Sequence, residues 1–322
     1  MSDEQRSPVL IGYDGHEDAA AAIRGAGALL GPGPAIVAYV WESLAALLLH
    51  ADVEQLTGSM RETAEEFDAG EETRASEVAA KGAQLAVEAG FAAQPIAMRG
   101  RPKVWPALLQ LADEHGVGSI VVGSEGLGAA KSALLGSVSS GLMHHSTRPL
   151  VIVPRASESV AAGPLLLAYD GSEHARRGIE EAAALLGPRE AIVQTVWTSY
   201  EAVAAGGDIG MPAAMAAAGA QRLDEELAEK ARRTAEEGAA LATARGMRAR
   251  AEAVRERGNV HHTLIEGAKE NAAAAIVIGS RGRSSVSAAL LGSVAAGLVH
   301  RSPIPLVVVV GSHAAIGVAT AK

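Results

Sequence analysis

Short apolar runs alternate along the chain with longer segments rich in alanine and charged residues. The first run, residues 9–13, ends at Asp14-Gly15, and residues 17–30 then have helix-forming composition. Because the Gly-Pro repeat at residues 31–34 breaks a helix, the pattern predicts a strand, a helix and a second strand at residues 35–41. Apolar strands that alternate with helices predict right-handed crossovers and a parallel sheet that helices cover on both faces.

The alternation continues to about residue 155. Residues 42–89 are rich in Ala and Glu and are predicted to be mostly helical, with Gly58, Asp68 and Gly70 as candidate interruptions. The later elements of this half are a strand at 91–98, a helix that opens at Gly100-Arg101-Pro102 and runs to about His115, a strand at 119–123, a helix at 138–145 and a strand at 149–153.

The second half of the chain repeats the first. A repeat of this length is a duplicated domain, because the units of solenoid proteins run about 20 to 50 residues. We expect one domain at residues 1–155 and a second at 164–311, with a linker of small and polar residues at 156–163 and a tail at 312–322. Matched residues lie 156 positions apart, as in Gly123 and Gly279, Asp14 and Asp170, Trp41 and Trp197, His144 and His300, and Pro149 and Pro305.

A glycine-rich stretch follows the fourth strand in each half. It reads Gly-Ser-Glu-Gly at residues 123–126, nine further residues and Gly136-Ser137, and its copy reads Gly-Ser-Arg-Gly at 279–282, nine further residues and Gly292-Ser293. Glycines allow positive φ and close approach of the backbone, so successive N–H groups can surround an anion. The serine at the start of the next helix adds a hydroxyl and the positive end of the helix dipole. One such stretch could be an ordinary turn, but two copies with the same spacing predict a phosphate-binding loop.

The spacing Gly-x2-Gly-x9-Gly-Ser resembles the nucleotide loop of the universal stress protein family, in the branch that binds ATP, and the resemblance covers nearly all of the chain. It implies two tandem doubly wound α/β domains, each a five-stranded parallel sheet with strand order 3-2-1-4-5. It also implies that the fifth strands of the two domains pair with each other, which here would make an intramolecular pseudo-dimer. Association of whole chains into a homodimer would be a second level of assembly.

This strand order sets the position of a site. It puts the topological switch point between the first and fourth strands of each domain, and ligands bind in that crevice, outside the carboxyl ends of the strands. Asp14 and Asp170 end the first strands, and the resemblance implies that they bind the ribose of ATP and that the main chain at Val40 and Val196 binds adenine. The candidate nucleotide-binding residues are, in the first half, Gly12, Asp14, Val40, Gly123, Ser124, Gly126, Gly136, Ser137 and Val138, and in the second half Ala168, Asp170, Val196, Gly279, Ser280, Arg281, Gly282, Arg283, Gly292, Ser293 and Val294.

Several residues also have ordinary structural interpretations. An Asp before Gly at a strand end is a common turn former, and a Val within a strand is usually a core residue. Trp41 and Trp197 are interpreted as packing residues rather than adenine-stacking residues, and His144 and His300 as packing or interface residues. No metal site made by protein side chains is expected, because adjacent histidines such as His261-His262 point in different directions on a helix.

The two halves differ around their predicted sites. The second half has Arg281 and Arg283 in its loop, which could reach phosphate oxygens, and Ser172, which is a good helix N-cap. The first half has Glu125 and His16 at the positions of Arg281 and Ser172. These differences predict tighter ATP binding in the second half. If Glu125 points into solvent, however, screening by water and salt makes its charge nearly irrelevant.

Composition excludes several classes of protein. Of the 322 residues, 48% are hydrophobic and 3% aromatic, so the core must be built mainly from Ala, Val, Leu and Ile, which suits a covered parallel sheet. The absence of Cys excludes disulfides and thiolate chemistry. The net charge of -9 argues against nucleic-acid binding. Since the sequence has neither a signal core nor an apolar run of about 18 residues, we expect a cytoplasmic protein with no nucleic-acid or membrane partner.

The sequence contains no GxxxxGK[ST], GxSxG or HExxH stretch. Hydrolysis of ATP would need a base that positions water, and Glu125 is the only acidic residue in either glycine loop. We therefore assign no catalytic residue and expect turnover to be slow at best. The expected function is regulation of growth or stress survival through protein partners, with ATP as the ligand, with or without Mg²⁺. A weak ATPase and a nucleotide-free interaction protein on the same fold are the alternatives, and the intact loops count against the latter.

Overall fold

Strands and helices alternate along the chain as the apolar pattern predicts. The computed structural model describes residues 6–45, 58–100, 103–124, 136–155, 157, 162–199, 213–280, 282 and 291–310. Most of the predicted linker and all of the predicted tail lie outside these residues, so the domain boundaries stay a prediction. The first half contains β1 (Val9–Gly12), α1 (Glu17–Leu30), β2 (Gly33–Glu42), α2 (Gly58–Glu88), β3 (Phe91–Gly100), α3 (Val104–Glu114), β4 (Ser119–Gly123), α4 (Ser137–His145) and β5 (Leu150–Val153). The second half contains β6 (Leu165–Ala168), α5 (Glu173–Leu186), β7 (Glu190–Trp197), α6 (Ala213–Ala244), β8 (Arg248–Arg255), α7 (Val260–Glu270), β9 (Ala275–Gly279), α8 (Ser293–Arg301) and β10 (Leu306–Val309).

The ten strands of the described residues form one sheet, in the order β3-β2-β1-β4-β5-β10-β9-β6-β7-β8. Within each half the strands are parallel and their order reads 3-2-1-4-5, which confirms the fold implied by the resemblance. At the centre, β5 and β10 are antiparallel, with Leu150 paired to Val308 and Ile152 paired to Leu306. The prediction that the fifth strands pair within one chain is therefore confirmed.

Helices cover both faces of the sheet. In the first half, α1 and α2 pack on the face to which Val9 and Ile11 point, and α3 and α4 pack on the face to which Leu10 points. All three side chains are buried. Because both faces are covered, the central strands are apolar throughout rather than alternating between apolar and polar residues.

The helix α2 runs without a break through Asp68 and Gly70, which the sequence suggested as interruptions. Asp68 is buried, and its carboxylate accepts one hydrogen bond from the Ser43 hydroxyl and a second, of 2.8 Å, from Leu44 N. A buried carboxylate is tolerated when donors surround it. Asp68 therefore does not interrupt the helix. Its side chain connects α2 to the segment that follows β2.

The strand β3 ends later than predicted. The sequence suggests a helix start at Gly100-Arg101-Pro102, but β3 pairs with β2 along its whole length, up to Gly100 opposite Glu42. Arg101 and Pro102 lie outside the described residues, and α3 begins at Val104. The ladder with β2 thus extends the strand into the expected start of the helix.

Two arginines hold together the helices that meet where the halves join. Arg6 donates from Nη1 to Leu30 O at 3.0 Å and from Nη2 to Leu185 O. Arg189 donates from Nη1 to Leu29 O at 2.9 Å. These carbonyl groups belong to the last turns of α1 and α5, where the carbonyls lack intrahelical partners and the helix dipole is negative. Each arginine therefore links the halves by a charge-assisted contact.

Removing either arginine should weaken the contact between the halves. Arg6→Ala and Arg189→Ala each leave helix-end carbonyls without a charged donor, which should cost about 1–3 kcal/mol of unfolding free energy. The measurement is chemical denaturation. As a control, Arg248→Ala removes an exposed ion pair with Glu190 and should cost less than about 1 kcal/mol. An equal effect of Arg189→Ala and Arg248→Ala would contradict this account.

A buried glutamine marks a place where the two halves are packed differently. Gln194 in β7 is 1% exposed, and neither atom of its amide has a hydrogen-bond partner among the described residues. The amide lies against Gly267 of α7, where a Cβ atom would be 2.7 Å from Nε2 of Gln194. The equivalent positions in the first half hold Ala38 and Leu111. The large side chain thus comes from the strand in one half and from the helix in the other.

Copying the first-half pair into the second half should stabilise the protein. Gln194→Ala combined with Gly267→Leu removes two unpaired buried atoms, worth about 1–3 kcal/mol, and replaces a helical glycine by a better helix former. Gly267→Leu alone should destabilise, because its side chain would collide with the amide. A double-mutant cycle in urea should show a coupling above about 1 kcal/mol. Additive effects of the two substitutions would rule this packing account out.

Candidate functional site

Each half has a crevice at the carboxyl ends of two neighbouring strands. The carboxyl ends of β1 and β4 lie side by side, and so do those of β6 and β9. The chain leaves β1 toward α1 on one face of the sheet and leaves β4 toward α4 on the other face, and the second half repeats this arrangement. Neighbouring strands with connections to opposite faces open a crevice where ligands of this fold class bind.

In the second half, the strand-end aspartate and the glycine loop come together. Asp170 follows β6, and its Oδ2 atom lies 3.0 Å from the position that a Cβ atom would take at Gly282. A side chain at Gly282 would therefore press on the carboxylate. Both residues are half-buried. The crevice between β6 and β9 is thus bordered by a carboxylate and by the backbone of the loop.

Both strand-end aspartates form a turn. Asp14 Oδ1 accepts a hydrogen bond from His16 N at 3.0 Å, and Asp170 Oδ1 accepts one from Ser172 N at 2.9 Å. The intervening glycine has a φ of +86° in the first half and +80° in the second, a region that favours glycine. The turn-forming interpretation of Asp-Gly is confirmed. The same hydrogen bond fixes the direction of each carboxylate.

The two ends of each glycine loop are hydrogen-bonded to each other. Gly136 N donates to Ser124 O at 3.2 Å, and in the copy Gly292 N donates to Ser280 O at 2.9 Å. In each half the N–H of the same serine donates to the last carbonyl of the fifth strand, at 3.1 and 2.8 Å. The bases of both loops are therefore built in the same way. Three predicted loop residues lie outside the described residues: Gly126, Arg281 and Arg283.

The helices α4 and α8 begin at these loop bases. Their N-cap residues, Gly136 and Gly292, have extended backbones, with φ of -58° and -63° and ψ of 150° and 147°. Glycine has no side chain that could accept a hydrogen bond from the first turn, and Ser137 and Ser293 are the first helical residues. A helix start of this kind can bind an anion through its N–H groups.

The apolar candidate residues share one side of the sheet. Each is half-buried and packs at the margin of the core that lies under α3 and α4 or under α7 and α8. The strand valines therefore have the core contacts of ordinary strand residues, at the edge where the strands end. The residues in question are Val40, Val138, Ala168, Val196 and Val294.

Three candidate glycines have contacts within the fold. At Gly12 a Cβ atom would lie 3.3 Å from a β4 side chain, and the second half has Ala168 there. At Gly279 a Cβ atom would lie 2.8 Å from His174 O, so glycine lets the first turn of α5 pack on the end of β9. Gly123 O accepts a hydrogen bond of 2.7 Å from Ser139 Oγ of α4. Gly279 and Gly123 thus also position the helices around the crevice.

The tryptophans and histidines that the sequence analysis interprets as packing or interface residues differ in their exposure. Trp41 is 4% exposed, and Arg99 Cζ lies 5.1 Å from the centroid of its ring, so the packing interpretation is confirmed for Trp41. Trp197 is half-buried. His144 and His300 are exposed at the ends of α4 and α8, so they are surface residues rather than core residues.

Sequence reasoning missed contacts between aromatic rings and helical glycines. The ring of Tyr13, directly after β1, lies against Gly82 of α2, where a Cβ atom would be 2.9 Å from ring atom Cγ. Tyr169 and Gly238 of α6 repeat this contact, also at 2.9 Å. The available signal was that these isolated glycines in helical segments lie 156 positions apart. A second pair of such glycines lies in α4 and α8.

The two tyrosines remain neutral at physiological pH. Burial is the main cause that raises the pKa of Tyr13 above its ordinary value of 10.0, and Asp14 adds to the rise. Burial also raises the pKa of Tyr169, against the charge of Arg176 and together with that of Asp170. The phenol of Tyr169 therefore keeps its proton, and it donates a hydrogen bond of 3.1 Å to Glu237 Oε1 of α6.

The family model of the universal stress protein family matches this chain twice, at residues 6–154 and at residues 163–310. The chain therefore belongs to the universal stress protein family and contains two of its domains.

Solved structures of similar length share this tandem fold. The chain is similar to a universal stress protein from Archaeoglobus fulgidus DSM 4304, at 21% identity and a TM-score of 0.56, over 94% of this chain and 98% of that chain. It is also similar to a functionally unknown protein from Pseudomonas aeruginosa PAO1, at 12% identity and a TM-score of 0.53, over 96% of this chain and 94% of that chain. At these identities the similarity concerns the fold alone.

Candidate membrane-spanning helices and candidate metal-binding clusters are both absent from the described residues. Among these residues, no helix combines the length and the apolar character that crossing a bilayer requires. Within the same part of the chain, no three His, Asp or Glu side chains converge in a way that could hold a metal ion.

The capping difference between α1 and α5 predicts a difference in their contribution to stability. Ser172 Oγ accepts a hydrogen bond of 3.2 Å from Ala175 N in the first turn of α5. In the described first turn of α1, the side chain of His16 accepts no such hydrogen bond. His16→Ser should raise the unfolding free energy by about 0.5–1 kcal/mol, and Ser172→Ala should lower it by about 1 kcal/mol. Urea denaturation measures both effects. If the exposed control His144→Ser stabilises as much as His16→Ser, capping is not the cause.

Proposed function

We propose that this protein binds ATP in the crevice of each half and uses the bound state to regulate growth or stress survival through protein partners in the cytoplasm. The observation that carries the proposal is the meeting of Asp170 and Gly282 at the switch point of the second half. Membership of the universal stress protein family supports it, because the loop spacing resembles that of the family's ATP-binding branch.

The ribose would lie at the strand-end aspartate. The turn through Ser172 N holds Oδ1 of Asp170, and Oδ2 lies toward Gly282 in the glycine loop. An ionised carboxylate accepts hydrogen bonds and so fits the hydroxyl groups of a ribose. Asp14 would have the same role in the first half, since its turn has the same geometry.

The phosphates would lie between the glycine loop and the start of α8. Gly292 leaves the first-turn N–H groups without a capping side chain, and Ser293 brings a hydroxyl to the same place. The helix dipole favours negative charge there. Arg281 and Arg283 would add charge-assisted hydrogen bonds to phosphate oxygens. A magnesium ion, where one accompanies ATP, would be held mainly by the phosphates.

The adenine would lie against the apolar residues at the end of the second strand. Val196 is half-buried there and Val40 is its counterpart in the first half, while Ala168 of the first strand and Val138 and Val294 of the helices extend the same apolar rim. An apolar rim suits the faces of a purine, and main-chain groups at the strand end supply the hydrogen bonds that orient it.

The nucleotide that accompanies the purified protein distinguishes this function from its alternatives. Mass spectrometry of small molecules released by denaturation should detect ATP if the protein binds and keeps it. Release of ADP would favour a weak ATPase whose turnover is the output. The absence of nucleotide, together with no binding of added ATP, would favour an interaction protein that does not use nucleotide.

Asp170→Ala and Gly282→Val should both weaken the second site. Loss of the ribose acceptor should cost about 1–3 kcal/mol, or roughly tenfold to a hundredfold in Kd, and Val at position 282 would crowd the carboxylate. The measurement is ATP titration by calorimetry in an Asp14→Ala background, which leaves only the second site intact. Asp113→Ala, which removes an exposed carboxylate of the first half, should leave the affinity unchanged. Undiminished affinity in both site variants would mean that the site is assigned wrongly.

The same titrations compare the two sites. The Asp14→Ala protein, which retains the second site, should bind ATP more tightly than the Asp170→Ala protein, which retains the first. The reasons are the Ser172 cap and the arginines of the second loop, against His16 and Glu125 in the first half. Equal affinities, with no gain from Glu125→Arg, would contradict the asymmetry.

A further inference from the structure

The helices that start at the glycine loops are short and depend on a neighbour for their position. α4 and α8 have nine residues each, and they pack on α3 and α7. Helices of this length are not stable alone in water, since isolated helices need about 12–15 residues. The place of their first residues, Ser137 and Ser293, is therefore set by this packing.

In both halves, one ring lies against the backbone in the middle of that helix. A Cβ atom at Gly141 of α4 would be 2.7 Å from Nε1 of Trp105 and closer still to two other ring atoms. A Cβ atom at Gly297 of α8 would be 2.6 Å from Cγ of His261. Trp105 and His261 occupy equivalent positions in α3 and α7. Glycine thus lets each ring reach the helix backbone, and any other residue would push the helix away.

One turn further along the helix, the halves differ. His145, four residues after Gly141, stacks on Trp105 with ring centroids 4.2 Å apart and an angle of 5° between the planes. Arg301 holds the equivalent position in the second half. The face of the Trp105 indole is therefore covered by a ring that stacks on it, and no fixed positive charge occupies that place. A protonated imidazole beside Arg301 instead meets a like charge.

His261 is the titratable ring of this pair. Burial is the main cause that lowers the pKa of His261 below its ordinary value of 6.5, and the charges of Arg301 on α8 and His262 on α7 lower it further. Among the described residues, these two are the charged and titratable groups that act on the ring from the two helices it joins. The packed arrangement therefore favours the neutral ring, and a proton opposes it.

We propose that Trp105 and His261 are positioning residues for the two ATP sites, and that His261 makes the second site sensitive to acid. The inference rests on the proposed binding of ATP at the start of α8. When His261 takes up a proton, its contact with Gly297 weakens and the first turn of α8 loses its support. The first site lacks this response, because the indole of Trp105 does not titrate.

The direction of the pH dependence follows from linkage. If bound ATP favours the docked helix, and the docked helix favours neutral His261, then ATP must lower the pKa of His261 further. The affinity of the second site is then full well above pH 6.5 and is lost as the pH falls through the pKa of His261 in the free protein, which lies below 6.5. One linked proton changes an affinity by at most about tenfold per pH unit.

The test compares ATP affinity at about pH 7.5 and about pH 5.0, on either side of the histidine range. In the Asp14→Ala background, the protein with His261 should lose about three- to tenfold more affinity on acidification than the same protein with His261→Trp, the first-half residue. The matched control is His115→Asn, which replaces an exposed histidine by the residue found at the equivalent position of the second half, Asn271. This variant should keep the full pH dependence. Protonation of ATP itself is common to all three proteins and cancels in the comparison.

Two further measurements test the same inference without His261→Trp, in case that variant does not fold. Trp105→His in an Asp170→Ala background should give the first site an acid sensitivity that it lacks, by about three- to tenfold over the same pH range. An NMR titration of His261 in the unsubstituted protein should show a lower pKa with ATP than without it.

Equal pH dependence in all variants, with the same His261 titration in the presence and absence of ATP, would overturn the positioning role and leave ATP binding standing. If the Asp14→Ala protein binds no ATP even at about pH 7.5, the proposed function fails at the second site, and this inference fails with it.

Discussion

The backbone ladder between β5 and β10 is the interaction on which the rest of the structure depends. Each strand has four residues, and all of their side chains are at most 2% exposed. If either strand stood alone at the edge of a sheet, its N–H and C=O groups would be left unpaired beside an apolar surface, which is unfavourable and invites aggregation. Each half therefore needs a partner strand. The covalent link supplies it at a high effective concentration.

The link also removes the need for the halves to stay alike. In a symmetric pair of separate chains every substitution appears twice, whereas here a position can change in one half alone. Arg6 and Arg189 use this freedom, since their equivalents are Ala162 and Gly33. The buried glutamine of β7 is a second instance. The Asp-Gly turn and the hydrogen-bonded loop base are nevertheless the same in both halves. Divergence has therefore affected the packing that supports the crevices more than their main-chain geometry.

The elements of the fold were predictable to different degrees from the sequence. The apolar runs located the strands, because a sheet covered on both faces makes its central strands apolar throughout. For the same reason the runs could not reveal the strand order, since every such strand reads alike. The order came from the family resemblance carried by the glycine loops. The repeat of 156 residues, by contrast, was visible directly and is reproduced by the matching order of elements in the two halves.

Contacts that depend on the folded state were the ones that the sequence did not reveal. Asp68 reads as a helix interruption because its partners, Ser43 and Leu44, are distant in the sequence. Gly141 and Gly297 lie in the middle of short helices, where neighbouring rings touch the backbone, and nothing next to them in the sequence marks those contacts. The position of the candidate site was predictable, since strand ends and glycine loops can be seen in the sequence. The residues that support it were not, because support is a property of packing.

The two crevices lie on opposite sides of the molecule, at opposite ends of the strands. The reason is that β5 and β10 are antiparallel, so the carboxyl ends of the strands in the two halves point in opposite directions. Main-chain hydrogen bonds connect them: Ser124 N to Val153 O, the β5–β10 ladder, and Ser280 N to Val309 O. A ligand shifts an equilibrium only if it binds two states of the protein differently. A buried, close-packed ladder offers one arrangement rather than two. If ligands bind in the two crevices, this connection therefore favours separate responses, and differences between the halves would give one chain two distinct responses instead of one cooperative response.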